Sequence, residues 1–118
     1  MSMSCTIGMV HEMIYGYVPV EEWLLRRARR KKLLHFTRKS ERRVVMALEA
    51  ALDDIIEEAG LRGVAWIEAV EVEGETKLGI ALATNLKEDR PPEDHIQCLQ
   101  RPGALNTSAR PTWFSVYD

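Results

Sequence analysis

Apolar positions recur at helical spacing over 41–59, where Val44, Val45, Leu48, Ala51, Leu52, Ile55, Ile56 and Ala59 share one face and Glu49, Asp53, Asp54, Glu57 and Glu58 share the other. This pattern predicts an amphipathic helix, opened by Thr37 or Ser40 as a side-chain cap and closed by the left-handed residue that Gly60 supplies. An earlier helix is predicted over 20–35. Pro19 is pre-set for a first helical turn, and Glu21 and Glu22 complement the positive end of its dipole. Trp23, Leu24 and Leu25 at one end, and Leu33, Leu34 and Phe36 at the other, provide its apolar contacts. Between them Arg26, Arg27, Arg29, Arg30, Lys31 and Lys32 leave only Ala28 apolar, although long cationic stems can lie over neighbouring apolar surface.

The period changes to two over 64–73 and 76–84, β-rich runs joined at Gly74-Glu75, and this predicts a β-hairpin. Leu78, Ile80 and Leu82 point one way while Gly79, Ala81 and Ala83 point the other. In the first strand Val64, Trp66, Val70 and Val72 against Ala65, Ile67 and Ala69 repeat the split. Neither face is mainly polar. A sheet apolar on both sides expects cover on both, a lone hairpin is not stable in water, and two helices cover one side. The other side is left to the N-terminal segment, the C-terminal tail or a second copy of the chain. Because the symmetric dimer is the commonest oligomer, a homodimer is expected.

Residues 1–18 mix β-branched and aromatic residues with two glycines and read as one or two short strands. After Lys87, Pro91-Pro92 and Pro102-Gly103 bracket a short helix over 93–101, and Pro111 precedes Trp113, Phe114 and Tyr117. The fold class is therefore α+β: two helices packed on an antiparallel sheet that includes a 64–84 β-hairpin. A single domain spans 1–118, with 85–118 as a Pro-containing wrapping tail.

Composition sharpens the picture in one respect. At 118 residues, 46% apolar and 29% charged, the chain is globular in type. Its net charge of −2 conceals +7 over 21–43 and −8 over 44–118, with Glu12 supplying the remaining −1, an asymmetry that implies either an anionic partner or internal complementarity. The N-terminus lacks the basic start and unbroken apolar run of a secretory signal, and no segment approaches the roughly 20 apolar residues of a membrane span. Cys5 and Cys98 are far apart and imply neither a zinc site nor a disulfide framework. The expectation is an intracellular protein, cytoplasmic or nuclear, away from membranes. On that reading the Asn106-Thr107-Ser108 glycosylation pattern is discounted.

The basic tract is the strongest functional candidate: Arg26, Arg27, Arg29, Arg30, Lys31 and Lys32, extended by Arg38, Lys39, Arg42 and Arg43. Clustered cations neutralise phosphates and give salt-dependent nucleic-acid affinity. The plainer reading is a solvated helix face, or one paired with the acidic face of the following helix. Trp113, Phe114 and Tyr117 form a second candidate, a docking tail, with folding back onto the hairpin as the alternative. Trp23, Trp66 and Trp113 together lining a pocket is weighed against ordinary core packing. His11, His35 and His95 are isolated, no phosphate loop precedes a helix, and no catalytic residue, metal site or cofactor is expected. The function anticipated is a non-enzymatic interaction or scaffold protein acting through the basic helix and aromatic tail. Nucleic-acid binding through 26–43 is the alternative, and a small enzyme with a pocket at a dimer interface ranks third.

Overall fold

The computed structural model describes residues 11–34, 40–87 and 90–117. Along the chain lie β1 (Met13–Tyr17), α1 (Glu21–Arg30), α2 (Glu41–Glu58), β2 (Trp66–Val72), β3 (Glu75–Thr84), α3 (Glu93–Gln100) and β4 (Thr112–Val116). The architecture is mixed α+β, and the sheet departs from the expected open, helix-covered one. Its four strands close into a barrel in the order β1-β3-β2-β4. Each pairing is antiparallel: Ile14 lies opposite both Thr84 and Phe114, and Ile67 lies opposite Ile80. The β2–β4 seam is short, with Val70 opposite Val116 and Glu71 opposite Ser115. The Tyr117 N–H extends it by donating to the Ala69 carbonyl at 2.9 Å.

Closure accounts for the small-residue phase of β3. Ile14, Val70 and Ala81 are buried inside the barrel, with Val18, Val72, Phe114 and Val116 packed against them. Barrel diameter falls with strand number, so four strands leave little room and some interior positions must carry almost no side chain. A Cβ on Gly16 would stand 1.9 Å from the Ile80 carbonyl oxygen, and one on Gly79 would stand 2.6 Å from that of Tyr17. The register shifts between Tyr15 and Gly16, an irregularity of the kind that bends a strand and sharpens its twist. Trp66 lies opposite Ala81 and Glu68 opposite Gly79, so the bulky phase of β2 shares a side with the small phase of β3. Of the candidates for the second flank, the N-terminal segment and the C-terminal tail both contribute, as β1 and β4.

β2 and β3 are linked by Glu73-Gly74 rather than Gly74-Glu75, with φ of +51° and +81° at the two residues. Two consecutive positive φ angles are what a two-residue turn between twisted strands requires.

The outer wall of β2 and β3 carries Ile80, Leu82, Ile67 and Leu78 against the helices. These meet Leu24, Leu25 and Ala28 of α1, Leu48, Ala51, Leu52 and Ile55 of α2, and Ile96 and Leu99 of α3. α2 begins where Ser40 accepts a hydrogen bond from the Arg43 N–H at 3.4 Å. It ends at Gly60, with φ +72° and the Leu61 N–H donating to Ile56 at 3.0 Å. Val45 leaves the predicted apolar face and is 46% exposed. α1 stops several residues before the predicted end. Lys32 takes the left-handed conformation with φ +54°, and the Leu33 N–H closes back on the Ala28 carbonyl at 3.0 Å, a glycine-type terminus made without glycine.

The two helices run side by side in the same direction. Glu21 shares a groove with Glu41, Val44 and Leu48, while Arg27 and Lys31 reach Asp54. Among the described residues, no helix is long and apolar enough to cross a membrane. Any strand within 1–10, and the roles foreseen for Phe36 and Thr37, lie outside the described residues.

Candidate interaction surface

The basic tract divides by helical phase. Leu24, Arg27, Ala28 and Lys31 fall on the side of α1 that meets α2, and Arg27 is only 3% exposed. Its Nε donates to Asp54 Oδ2 at 2.9 Å, its Nη2 to the Gly103 carbonyl at 2.8 Å and its Nη1 to that of Ala104 at 3.3 Å. Lys31 Nζ donates to the same Asp54 oxygen at 2.7 Å and lies 3.6 Å from Glu58. Partial burial pushes the Asp54 carboxyl up. The hydrogen bonds from Lys31 and Arg27, with the charges behind them, outweigh it and hold the group below the ordinary carboxylate range. These two cations fasten α1 to α2 and to the turn after α3.

Arg26, Arg29, Arg30, Lys32, Arg42 and Arg43 are exposed. Arg26, Arg29 and Arg30 stand three and four residues apart on one outward face of α1. Arg38 and Lys39 lie outside the described residues, as do His35 and Cys5.

The three tail aromatics separate. Trp113 is 48% exposed on β4 and meets Tyr15, its partner across β1, with ring centroids 5.1 Å apart and planes tilted by 45°, a favourable geometry for two quadrupolar rings. Phe114 turns inward to Ile14, Val70 and Ala81. Tyr117 is 53% exposed. The approach to β4 is pinned at Ala109, whose carbonyl accepts from the Tyr17 hydroxyl at 2.8 Å and from Gln100 Nε2 at 3.0 Å. Burial pushes the Tyr17 phenol up. Beside it Arg110 grips Glu93 with both guanidinium arms, Nη2 to Oε1 at 3.1 Å, and holds that carboxyl below its usual range.

Three of the open grooves formed by the described residues are large, and the three tryptophans do not converge on any of them. One, of about 490 Å³, runs between the β1–α1 link, the first turns of α1 and the turn at 105–107, with Trp23 and Arg26 on its walls. A second, of about 580 Å³, gathers Trp66, Glu12, Thr84, Lys87, Arg90 and His95, and the Trp66 indole is steadied by Glu68 at 3.0 Å. The third, of about 620 Å³, lies where Val44, Val45 and Leu48 of α2 face Lys77 and Leu78 of β3.

Among the described residues, no group of three or more His, Cys, Asp or Glu side chains is placed to hold a metal ion. Cys98 is half-buried and its sulfur accepts from Arg101 Nη2 at 3.3 Å. Sequence reasoning missed the exposed apolar residues beside the cations: Val20 at 70%, Val45 at 46% and Met46 at 44%. For Met46 the signal was its position opposite the buried stripe of α2. No known protein family, no curated protein and no solved structure matches this chain.

Proposed function

We propose that the protein is a non-enzymatic interaction module that docks an acidic polypeptide on the outward face of α1 and the start of α2. The observation that carries this reading is the mixing of exposed cations with exposed apolar atoms on the same two helices: Val20 before Arg26 and Arg30, and Val45 and Met46 one turn from Arg42. Arginine, methionine and aromatic side chains are enriched where proteins meet, and desolvated arginines rank among the residues that dominate binding energy. Affinity for a phosphate backbone grows with the number of phosphates that cations neutralise, and nearby carboxylates oppose it. Here Glu49 and Asp53 continue the outward face of α2 directly beyond Arg42, Val45 and Met46 and would repel one. Trp113, the exposed member of the Tyr15–Trp113 pair, sits on the barrel rather than among these arginines.

Fluorescence anisotropy with two labelled probes tests this, an unstructured Glu/Leu 20-residue peptide and a single-stranded RNA 20-mer, each at 50 and 200 mM salt. The peptide is expected to bind and to weaken moderately with salt. The triple variant Arg26→Gln/Arg30→Gln/Arg42→Gln should lower its affinity about tenfold, since exposed ion pairs contribute roughly 0.5 kcal/mol each. RNA bound more tightly than the peptide, with a steep salt slope that the triple variant flattens, would overturn the reading in favour of nucleic acid. If sedimentation shows self-association that the same variant abolishes, the acidic partner is a second copy of this chain.

A further inference from the structure

Resting on that reading, we infer that the groove beside Trp23 seats an apolar side chain of the acidic partner, with a following carboxylate received by Arg26. Tyr17, Val18, Pro19, Val20, Trp23 and Leu105 give it mostly apolar walls, Asn106 and Thr107 add neutral polar groups, and Arg26 is the one charged residue lining it among the described residues. Its volume of about 490 Å³ falls in the range of specific ligand sites, which combine apolar walls with a few placed polar groups. An apolar anchor with one adjoining negative charge is the chemistry such a surface complements. Arg30, about 6 Å along the helix axis beyond Arg26, stands ready for a second carboxylate. Glu22, one turn before Arg26, sets the polarity: the acidic part of the partner runs toward the C-terminal end of α1.

A second observation singles out the rim. Val20 occupies the cap position of α1, makes no side-chain hydrogen bond to the helix and is 70% exposed. Valine is among the poorest capping residues, whereas serine, threonine, aspartate and asparagine satisfy an orphan N–H there. The chain follows that rule at α2 with Ser40. At Val20 it forgoes a cap and exposes apolar atoms at one residue, and that residue lines the groove. Departures of this sort from local stability rules concentrate at functional positions.

The test begins with selection of a displayed random 12-residue peptide library on the immobilised full chain. Enriched sequences should carry an aromatic or aliphatic residue followed within four positions by Asp or Glu. The best peptide, labelled, is then titrated against wild type, Val20→Ser and Arg26→Gln. Val20→Ser supplies the missing cap, so its melting temperature should rise by about 4 °C while affinity falls about tenfold, a pair of opposite shifts that a purely structural role for Val20 would not produce. Arg26→Gln should weaken binding and erase the preference for an acidic residue after the anchor. Unchanged affinity in Val20→Ser overturns the inference. If the enriched peptides are acidic without an apolar anchor and respond only to the arginine substitutions, the groove is wrong and the cationic face stands. If no peptide is enriched, both readings fail.

Discussion

Gly16→Ala is expected to destabilise the fold by about 3 kcal/mol or more, a large fraction of the roughly 5–15 kcal/mol that holds a domain together. The added methyl would stand 1.9 Å from the Ile80 carbonyl oxygen. Because the obstacle is backbone rather than a flexible side chain, relief requires β1 to move off β3. β1 is paired on its other edge with β4, so the displacement loosens two seams of the barrel together. Gly63→Ala is the control. Gly63 has φ +83° and nothing within 4 Å of the added atom, so it should cost only the conformational penalty of about 1 kcal/mol. Chemical denaturation of the two variants separates generic glycine effects from closure. A midpoint for Gly16→Ala no lower than that for Gly63→Ala would mean that the strands do not approach as closely as the barrel demands.

The parts of the fold legible in the sequence are those encoded by local period. The face of α2 built on Leu48, Ala51, Leu52 and Ile55 is buried as its spacing predicts, and strands with opposed bulky and small phases appear where alternation places them. Barrel closure was not legible, because it depends on pairings such as Met13 with Ser115 across nearly the whole chain. Local pattern carries no register for these. The clue was present in Gly79, Ala81 and Ala83, but small apolar residues read equally as a wall awaiting cover and as the lining of a narrow interior. β4 was harder still, since the prolines up to Pro111 gave the segment around Thr112–Val116 the look of a wrapping tail. Proline immediately before a strand is in fact compatible with pairing.

At the candidate surface, composition could not say which of six near-consecutive cations turns inward. Helical phase could have. Arg27 and Lys31 lie three and seven residues after Leu24, on the face that already holds Ala28, and Asp54 and Glu58 sit four apart on the next helix. The exposure of Val20 had no such signal, because it is set by where the 105–107 turn and the end of β1 leave a gap.

The division of the basic tract makes its own demand on stability. Asp54→Ala is expected to cost about 3 kcal/mol at neutral pH, the scale seen when one member of a buried ion pair is removed. Arg27, 3% exposed, would keep its bonds to the Gly103 and Ala104 carbonyls but lose its only anionic partner among the described residues. Lys31 would retain Glu58 at 3.6 Å. The pH dependence fixes the origin of the loss. Asp54 has a folded pKa lowered from its ordinary 3.8, so the unfolded chain takes up its proton first as pH falls. The stabilisation is complete above that ordinary value and drains away as pH drops through the folded one. Denaturant midpoints of wild type and variant should therefore be well separated at pH 7 and closer together at pH 3, below the ordinary 3.8, where the unfolded chain has already taken up most of that proton. A gap of the same size at both pH values would assign Asp54 a packing role and remove the ion-pair cluster as the clasp between α1 and α2. The outward arginines could then no longer be treated as the exposed remainder of a tract whose inward members are spent on the fold.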